Sequence, residues 1–184
     1  MKMVERIFLL FLSIVVTVVI AGKAPPPTFI ETGKALAEKL CKKSEDKGFC
    51  VSSLTSRHEA ETATAPKLGV IALSVASTNA SDTSLYIKSK LKQKNLDPAL
   101  EDTLDDCSKN YLDAVAQLDD SLAALLANAY IDVDIWLNTA ISDREACEDA
   151  LSERAGNDAE LARRNTNFLK LCKDALLINT ILTP

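Results

Sequence analysis

Histidine is almost missing from this 184-residue chain: His58 is the only one, and no Cys-x-x-Cys pair occurs. Zinc sites need closely spaced cysteine and histidine ligands, so a site of the usual kind is excluded. His58 itself falls in a polar connection with no nucleophile near it in sequence and reads as a solvated loop residue. No stretch of useful length alternates apolar and polar residues with a period of two, and no Asn-Gly turn occurs. The half-buried strand and the tight hairpin are thereby absent from the pattern. There is no nucleophile elbow and no glycine-rich phosphate loop. The carboxylate pairs Asp105-Asp106 and Asp119-Asp120 are sequence neighbours that point apart on a helix, which makes them poor acid–base partners. The familiar signatures of an enzyme are therefore lacking, and no cofactor is expected.

Long hydrophobic runs are scarce too. The one candidate, Ile7 to Ile20, is about 14 residues long, short of the ~20 that cross a bilayer. Lys2, Glu5 and Arg6 precede it and Ala21-Gly22 follow, the pattern of a secretory signal peptide over residues 1–22. Cleavage is expected after Ala21 or Gly22, since Pro25 disfavours a cut after Ala24. The remainder, 23–184, has the size of one domain. It keeps 19 basic and 25 acidic side chains, a net charge of −6. That balance argues against nucleic acid or an acidic polysaccharide as partner. Once the leader is removed, no membrane association is expected.

What the chain does have is helical periodicity and five cysteines, at 41, 50, 107, 147 and 172. In a secreted protein an odd count implies two bridges and one spare thiol. The clearest stretch runs from Asp97 to Ala127. Asp97-Pro98 supplies a helix cap followed by proline at the first helical position. Leu100, Leu104, Cys107, Tyr111, Ala114, Leu118, Ser121 or Leu122, and Leu125 then recur in steps of four and three, the mark of one buried helical stripe.

Around it, Phe29 to about Ser44 reads as a helix burying Leu36, Ala37 and Leu40. Gly48 marks a turn, and a short apolar piece follows to Leu54. Cys41 and Cys50 flank that turn. A bridge between them would staple a helical hairpin over 28–56 and contribute about 3 kcal/mol by loop closure. Ser56 to Thr64 is a polar connection. Three further helices are expected: Pro66 to about Asn95, Ile131 to Leu151, and Asp158 onward after the break at Gly156-Asn157. Trp136 is placed on the inner face of the second of these, with Val133, Leu137, Ala140 and Cys147. Asn79-Ala80-Ser81 is a glycosylation sequon, usable where that part of its helix faces solvent.

Short connections force consecutive helices to run antiparallel. The fold class that results is all-α: an up-down-up-down four-helix bundle over 66–183, preceded by the helical hairpin and holding two disulfides. Cys107 stands 22 residues before Ala129 and Cys147 stands 18 after it, so both sit at a similar height on neighbouring helices. Cys107–Cys147 is the natural bridge, with about 4 kcal/mol of loop-closure stabilisation. Cys172 is left as a buried, inert thiol. The core stripes carry full-sized apolar residues, so no cavity for a small hydrophobic ligand is expected.

The leader, the Cys41/Cys50 hairpin, the Cys107/Cys147 bundle and the late cysteine, in this order, resemble the plant invertase inhibitor and pectin methylesterase inhibitor family. The most specific pieces are Cys107-Ser108-Lys109-Asn110-Tyr111-Leu112-Asp113-Ala114, Cys147-Glu148-Asp149 and Asp97-Pro98-Ala99-Leu100. The resemblance implies a secreted, non-catalytic inhibitor of the cell wall or apoplast that blocks a target enzyme's active-site cleft. Invertase inhibitors typically carry Pro-Lys-Phe after the turn between the disulfide-linked helices. Here Asn128-Ala129-Tyr130-Ile131-Asp132 stands there, closer to the Gly-Asp-Tyr of the pectin methylesterase branch. Two positions depart from that branch, Ala146 where it has Thr and Leu151 where it has Phe. Pectin methylesterase is thus the expected partner, with acid invertase the alternative, or a pollen-allergen-like role with no enzyme target.

Beside the core stripe of the Asp97 helix runs a second one: Asp106, Asn110, Asp113, Gln117 and Asp120. Its steps are also four and three, so the five point one way, roughly 80–100° from the core. It is either the solvated face of any amphipathic helix or an acidic surface that meets a polar or basic cleft. The resemblance favours the second, because helices around the bundle disulfide supply target contacts in the pectin methylesterase branch. Asp149, beside Cys147, is expected to extend the patch.

Overall fold

The structure is a computed structural model that describes residues 31–155 and 158–184. The leader at 1–22, Phe29 and the Gly156-Asn157 break lie outside the described residues. Among the described residues no helix is long and apolar enough to cross a membrane.

Helices α1 (Gly33–Leu40) and α2 (Lys47–Leu54) form the hairpin, linked by a 3-10 turn at Cys41–Lys43. Cys41 and Cys50 are bonded, with Cα atoms 5.8 Å apart. The chain reverses at Ser44–Asp46 and not at Gly48, which lies inside α2. The reason is a cap: the Asp46 carboxylate accepts the Phe49 N–H at 3.0 Å and fixes the start of α2 there. Gly33 opens α1 with φ +64°, and a Cβ there would stand 2.1 Å from the Glu61 carbonyl oxygen. Only glycine fits both demands, and its N–H donates to Ala63 O at 3.0 Å, closing the hairpin onto the connection. That connection contains a 3-10 turn, His58–Thr62, in which the exposed His58 ring faces Glu61 at 3.0 Å.

Four long helices follow: α3 (Ala65–Leu91), α4 (Pro98–Leu126), α5 (Tyr130–Ala150) and α6 (Ala159–Leu182). A wide π turn, Leu151–Ala155, extends α5. The caps that set these helices are local. Asp97 accepts from Ala99 and Leu100 N–H, and Asp158 from Glu160 and Leu161 N–H. Asn128, at φ 58°, takes the left-handed conformation that ends α4, with Ala129 N–H returned to Ala124 O at 2.9 Å. The helices close a ring, with α3 on α4, α4 on α5, α5 on α6 and α6 on α3.

Helix α4 buries Leu104, Cys107, Tyr111, Ala114, Leu118, Ser121 and Leu125, so the seventh place on its stripe goes to Ser121 and Leu122 stays half-buried. The middle of α3 contributes small inward residues, Ala76, Ala80, Thr83 and Ser84. Gly69 shows how close the neighbours come: a Cβ would lie 3.2 Å from Leu125 Cδ2 and 3.3 Å from Leu182 Cδ1. Cys107 and Cys147 are bonded with Cα atoms 4.7 Å apart, and Cys172 is buried and free. Trp136 is not in the core; it is 37% exposed. The inward residues of α5, Val133, Leu137, Ala140 and Cys147, centre on a line from which position 136 is rotated by about 60°.

Two polar networks brace the ring. Beside the Cys107–Cys147 bridge, Tyr111 OH donates to Asn165 Oδ1 at 2.7 Å, and Asn165 Nδ2 donates to Glu148. Arg144 Nε donates to the Asn165 carbonyl at 3.1 Å, so α4, α5 and α6 meet at one buried asparagine. Burial pushes the Tyr111 hydroxyl well above its ordinary pKa, which keeps it a neutral donor.

The second network holds the hairpin against α6. Lys170 reaches Asp46 at 2.9 Å, Lys173 reaches Glu45 at 3.0 Å, and Ser44 Oγ donates to Asp174 Oδ1 at 2.7 Å. Asp174 is 5% exposed and its Oδ2 has no partner. Burial raises its pKa above 3.8; the Ser44 hydrogen bond and Lys170 oppose this, and Asp46 and Glu45 add to it. The folded chain therefore holds this proton more tightly than the unfolded chain does. Ionised Asp174 is a destabilising charge above the raised value, relieved as pH falls toward 3.8. Asp174→Asn is expected to raise stability near pH 7 and to lose that advantage below pH ~4. Urea unfolding at both pH values, read as the difference between variant and parent, measures it.

Candidate functional site

The second stripe of α4 emerges along the outer groove between α4 and α5. Asp106, Asn110 and Gln117 are half-buried, whereas Asp113 and Asp120 are exposed. Across the groove α5 contributes Asp143, which senses both Gln117 and Asp113. Trp136 lies seven residues earlier on the same side of α5, and Thr139 and Ala146 are exposed between and beyond. The stripe 136, 139, 143, 146 has helical spacing, so its common direction was readable. What concealed it was its mixed chemistry, an aromatic and a carboxylate among small residues.

The face is acidic but not uniformly so. At one end Arg154, carried by the π turn, donates to Asp106 at 2.9 Å, with Lys109 also near that carboxylate at 3.5 Å. The Arg154 hydrogen bond outweighs partial burial, and Asp106 is held below the usual carboxylate range. In the middle the balance reverses. Burial raises the Asp143 pKa, the Gln117 amide opposes this, and the Asp113 charge adds to it. Gln117 Oε1 and Asp143 Oδ2 are both enclosed without a hydrogen-bond partner.

The sequence strip is thus assembled as one surface from Asp106 to Asp120, facing Asp143 and Trp136. Asp149 stands apart from it: it is exposed, but the helical repeat rotates it about 120° from Asp143 toward the outer side of α5. Near the α4–α5 turn the surface becomes apolar, with Leu126, Ile131 and Ile135 exposed by 68%, 75% and 54%. Among the described residues no cluster of three or more metal-ligating side chains occurs.

The family model described as plant invertase/pectin methylesterase inhibitor matches residues 35–178. A provisionally named invertase inhibitor of Platanus acerifolia is 31% identical over 134 residues, covering 73% of this chain and 74% of its own. The pectinesterase inhibitor of Actinidia deliciosa is 24% identical over 173 residues, with 94% and 93% covered. A crystal structure of a pectin methylesterase inhibitor from Arabidopsis, in a mutant form, superposes with a TM-score of 0.69. It is 19% identical and covers 79% of this chain and 95% of its own. That likeness shows the all-α fold. The family match, spanning most of the chain, shows more: the chain belongs to the plant invertase/pectin methylesterase inhibitor family, and these two relatives, covered over most of their length, are named as inhibitors and not as enzymes.

Proposed function

We propose that the protein is a secreted inhibitor, acting in the cell wall or apoplast, that lays the α4–α5 face over the active-site groove of a pectin methylesterase. The observation that carries this reading is the Asp106–Asp120 stripe opposite Asp143 and the exposed Trp136. It sits on two helices that a disulfide holds in register. Side chains already fixed by a braced scaffold lose less entropy on docking. An exposed tryptophan flanked by carboxylates and amides is the kind of anchor that dominates protein interfaces. The missing Pro-Lys-Phe motif and the Tyr130 match favour the esterase over an invertase. Such a complex weakens with salt, because rim charges steer the encounter.

The double substitution Asn110→Ala/Asp113→Ala is expected to raise the inhibition constant about 10–100-fold, with folding unchanged since neither residue is in the core. Unchanged inhibition by the folded variant removes the strip from the mechanism. The second reading, inhibition of an acid invertase, is supported by the 31% identity to the Platanus acerifolia relative and would use the apolar rim of the α4–α5 turn. There a groove of about 700 Å³ is lined by Tyr130, Ile131, Thr183 and Pro184. Ile131→Asp separates the two: it damages inhibition of an invertase if the tip is used, and leaves esterase inhibition by the face largely intact. Each variant is assayed against both enzyme types at apoplastic pH.

A further inference from the structure

The sequon Asn79-Ala80-Ser81 is not used by the face just described; it lies on a different side of the bundle. Asn79 is half-buried in α3 and lines a groove of about 390 Å³, within the range of small-ligand clefts. Its Oδ1 is enclosed and unpartnered, and the residue lines the groove. Three elements wall that groove. Phe49, Ser52 and Arg57 come from the hairpin side, Asp82 from α3 and Asn167 from α6. The composition suits a sugar: a half-buried aromatic ring for a C–H face, with hydroxyl, amide, carboxylate and guanidinium groups for ring hydroxyls.

We infer that Asn79 carries an N-linked glycan whose first sugar occupies this groove and holds the hairpin against the bundle. The bond forms between the Asn79 amide nitrogen and the anomeric carbon of an oligosaccharide, the bond from that carbon to its lipid pyrophosphate breaks, and the amide gives up one proton as the pyrophosphate leaves. Ser81 supplies the hydroxyl of the acceptor motif. The inference rests on entry into the secretory pathway, part of the reading above. The hairpin is the element it would steady. Its covalent staple, Cys41–Cys50, is internal to the hairpin and does not tie it to the bundle.

The experiment expresses the full chain in a eukaryotic secretory host, once with its own leader and once with a substituted one. Secretion is scored in the first arm and glycosylation in the second, so failure of one is not mistaken for failure of the other. A glycosidase-sensitive mass shift is expected, abolished by Ser81→Ala, which leaves Asn79 in place. Hydrogen exchange at the amides of Cys41–Thr55 is expected to be at least threefold slower in the glycosylated protein than in Ser81→Ala. A secreted protein with no mass shift overturns the inference. So does a glycosylated one whose hairpin exchanges as fast as that of Ser81→Ala.

Discussion

Phe168→Ala is expected to destabilise the protein by about 3–5 kcal/mol. Phe168 is fully buried in α6 between Asn165 and Cys172, and its ring lies 5.6 Å from that of Tyr111 at 60°. Truncation removes the transfer free energy of the ring and leaves a cavity beside the buried Tyr111. It also loosens the apolar side of Tyr111, whose hydroxyl holds the Asn165 junction of α4, α5 and α6. Against a total stability of roughly 5–15 kcal/mol this is a large fraction. Phe168→Leu keeps much of the volume and is expected to cost less than half as much. Guanidinium unfolding of both variants measures the ranking; equal losses would mean that the aromatic ring against Tyr111, and not the filled volume, carries the stability.

Removing the Cys107–Cys147 bridge as Cys107→Ala/Cys147→Ala is expected to cost about 4 kcal/mol, and Cys41→Ala/Cys50→Ala about 3 kcal/mol. Alanine avoids leaving a lone hydroxyl in an apolar site. The sequence separations are 40 and 9, so chain entropy alone separates the two by only ~1 kcal/mol. Location adds to the difference. The larger loop ties two core helices beside the Tyr111–Asn165–Glu148 network, whereas the smaller ties a peripheral hairpin. Hydrogen exchange is expected to rise along the α4–α5 seam in the first variant and only in the hairpin in the second. A greater loss from the hairpin bridge would overturn this ordering.

The bundle was legible because α4 states its own rules: a capping aspartate before proline, then a buried stripe in steps of three and four. Its neighbours could be placed by loop length and by the heights of Cys107 and Cys147. Two features of the fold escaped. Trp136 was assigned inward on hydrophobicity, but a residue about 60° off a stripe already filled by Val133, Leu137 and Ala140 has no space inside. The Ser44–Asp46 reversal was hidden because Gly48 is a stronger sequence marker of turns than an aspartate that caps. The acidic strip was readable as a direction. Its facing partners, Asp143 and Arg154, required knowing which helix lies across the groove. The expectation that Asp149 joins them failed because neighbours of a cysteine in sequence point elsewhere on a helix.

The order of the cysteines has a bearing on biogenesis. Each bond links a cysteine to the next one along the chain, 41 to 50 and then 107 to 147, and the odd thiol comes last. A chain made from its N-terminus in an oxidising compartment can close each ring before a competing sulfur emerges. Cys172 then arrives on the helix that completes the ring. There it is sealed from solvent, and burial drives its acidity far below that of a free thiol, so little thiolate forms to attack either bond. An unpaired sulfur that would ordinarily invite scrambling is thus quenched once α6 packs against its neighbours.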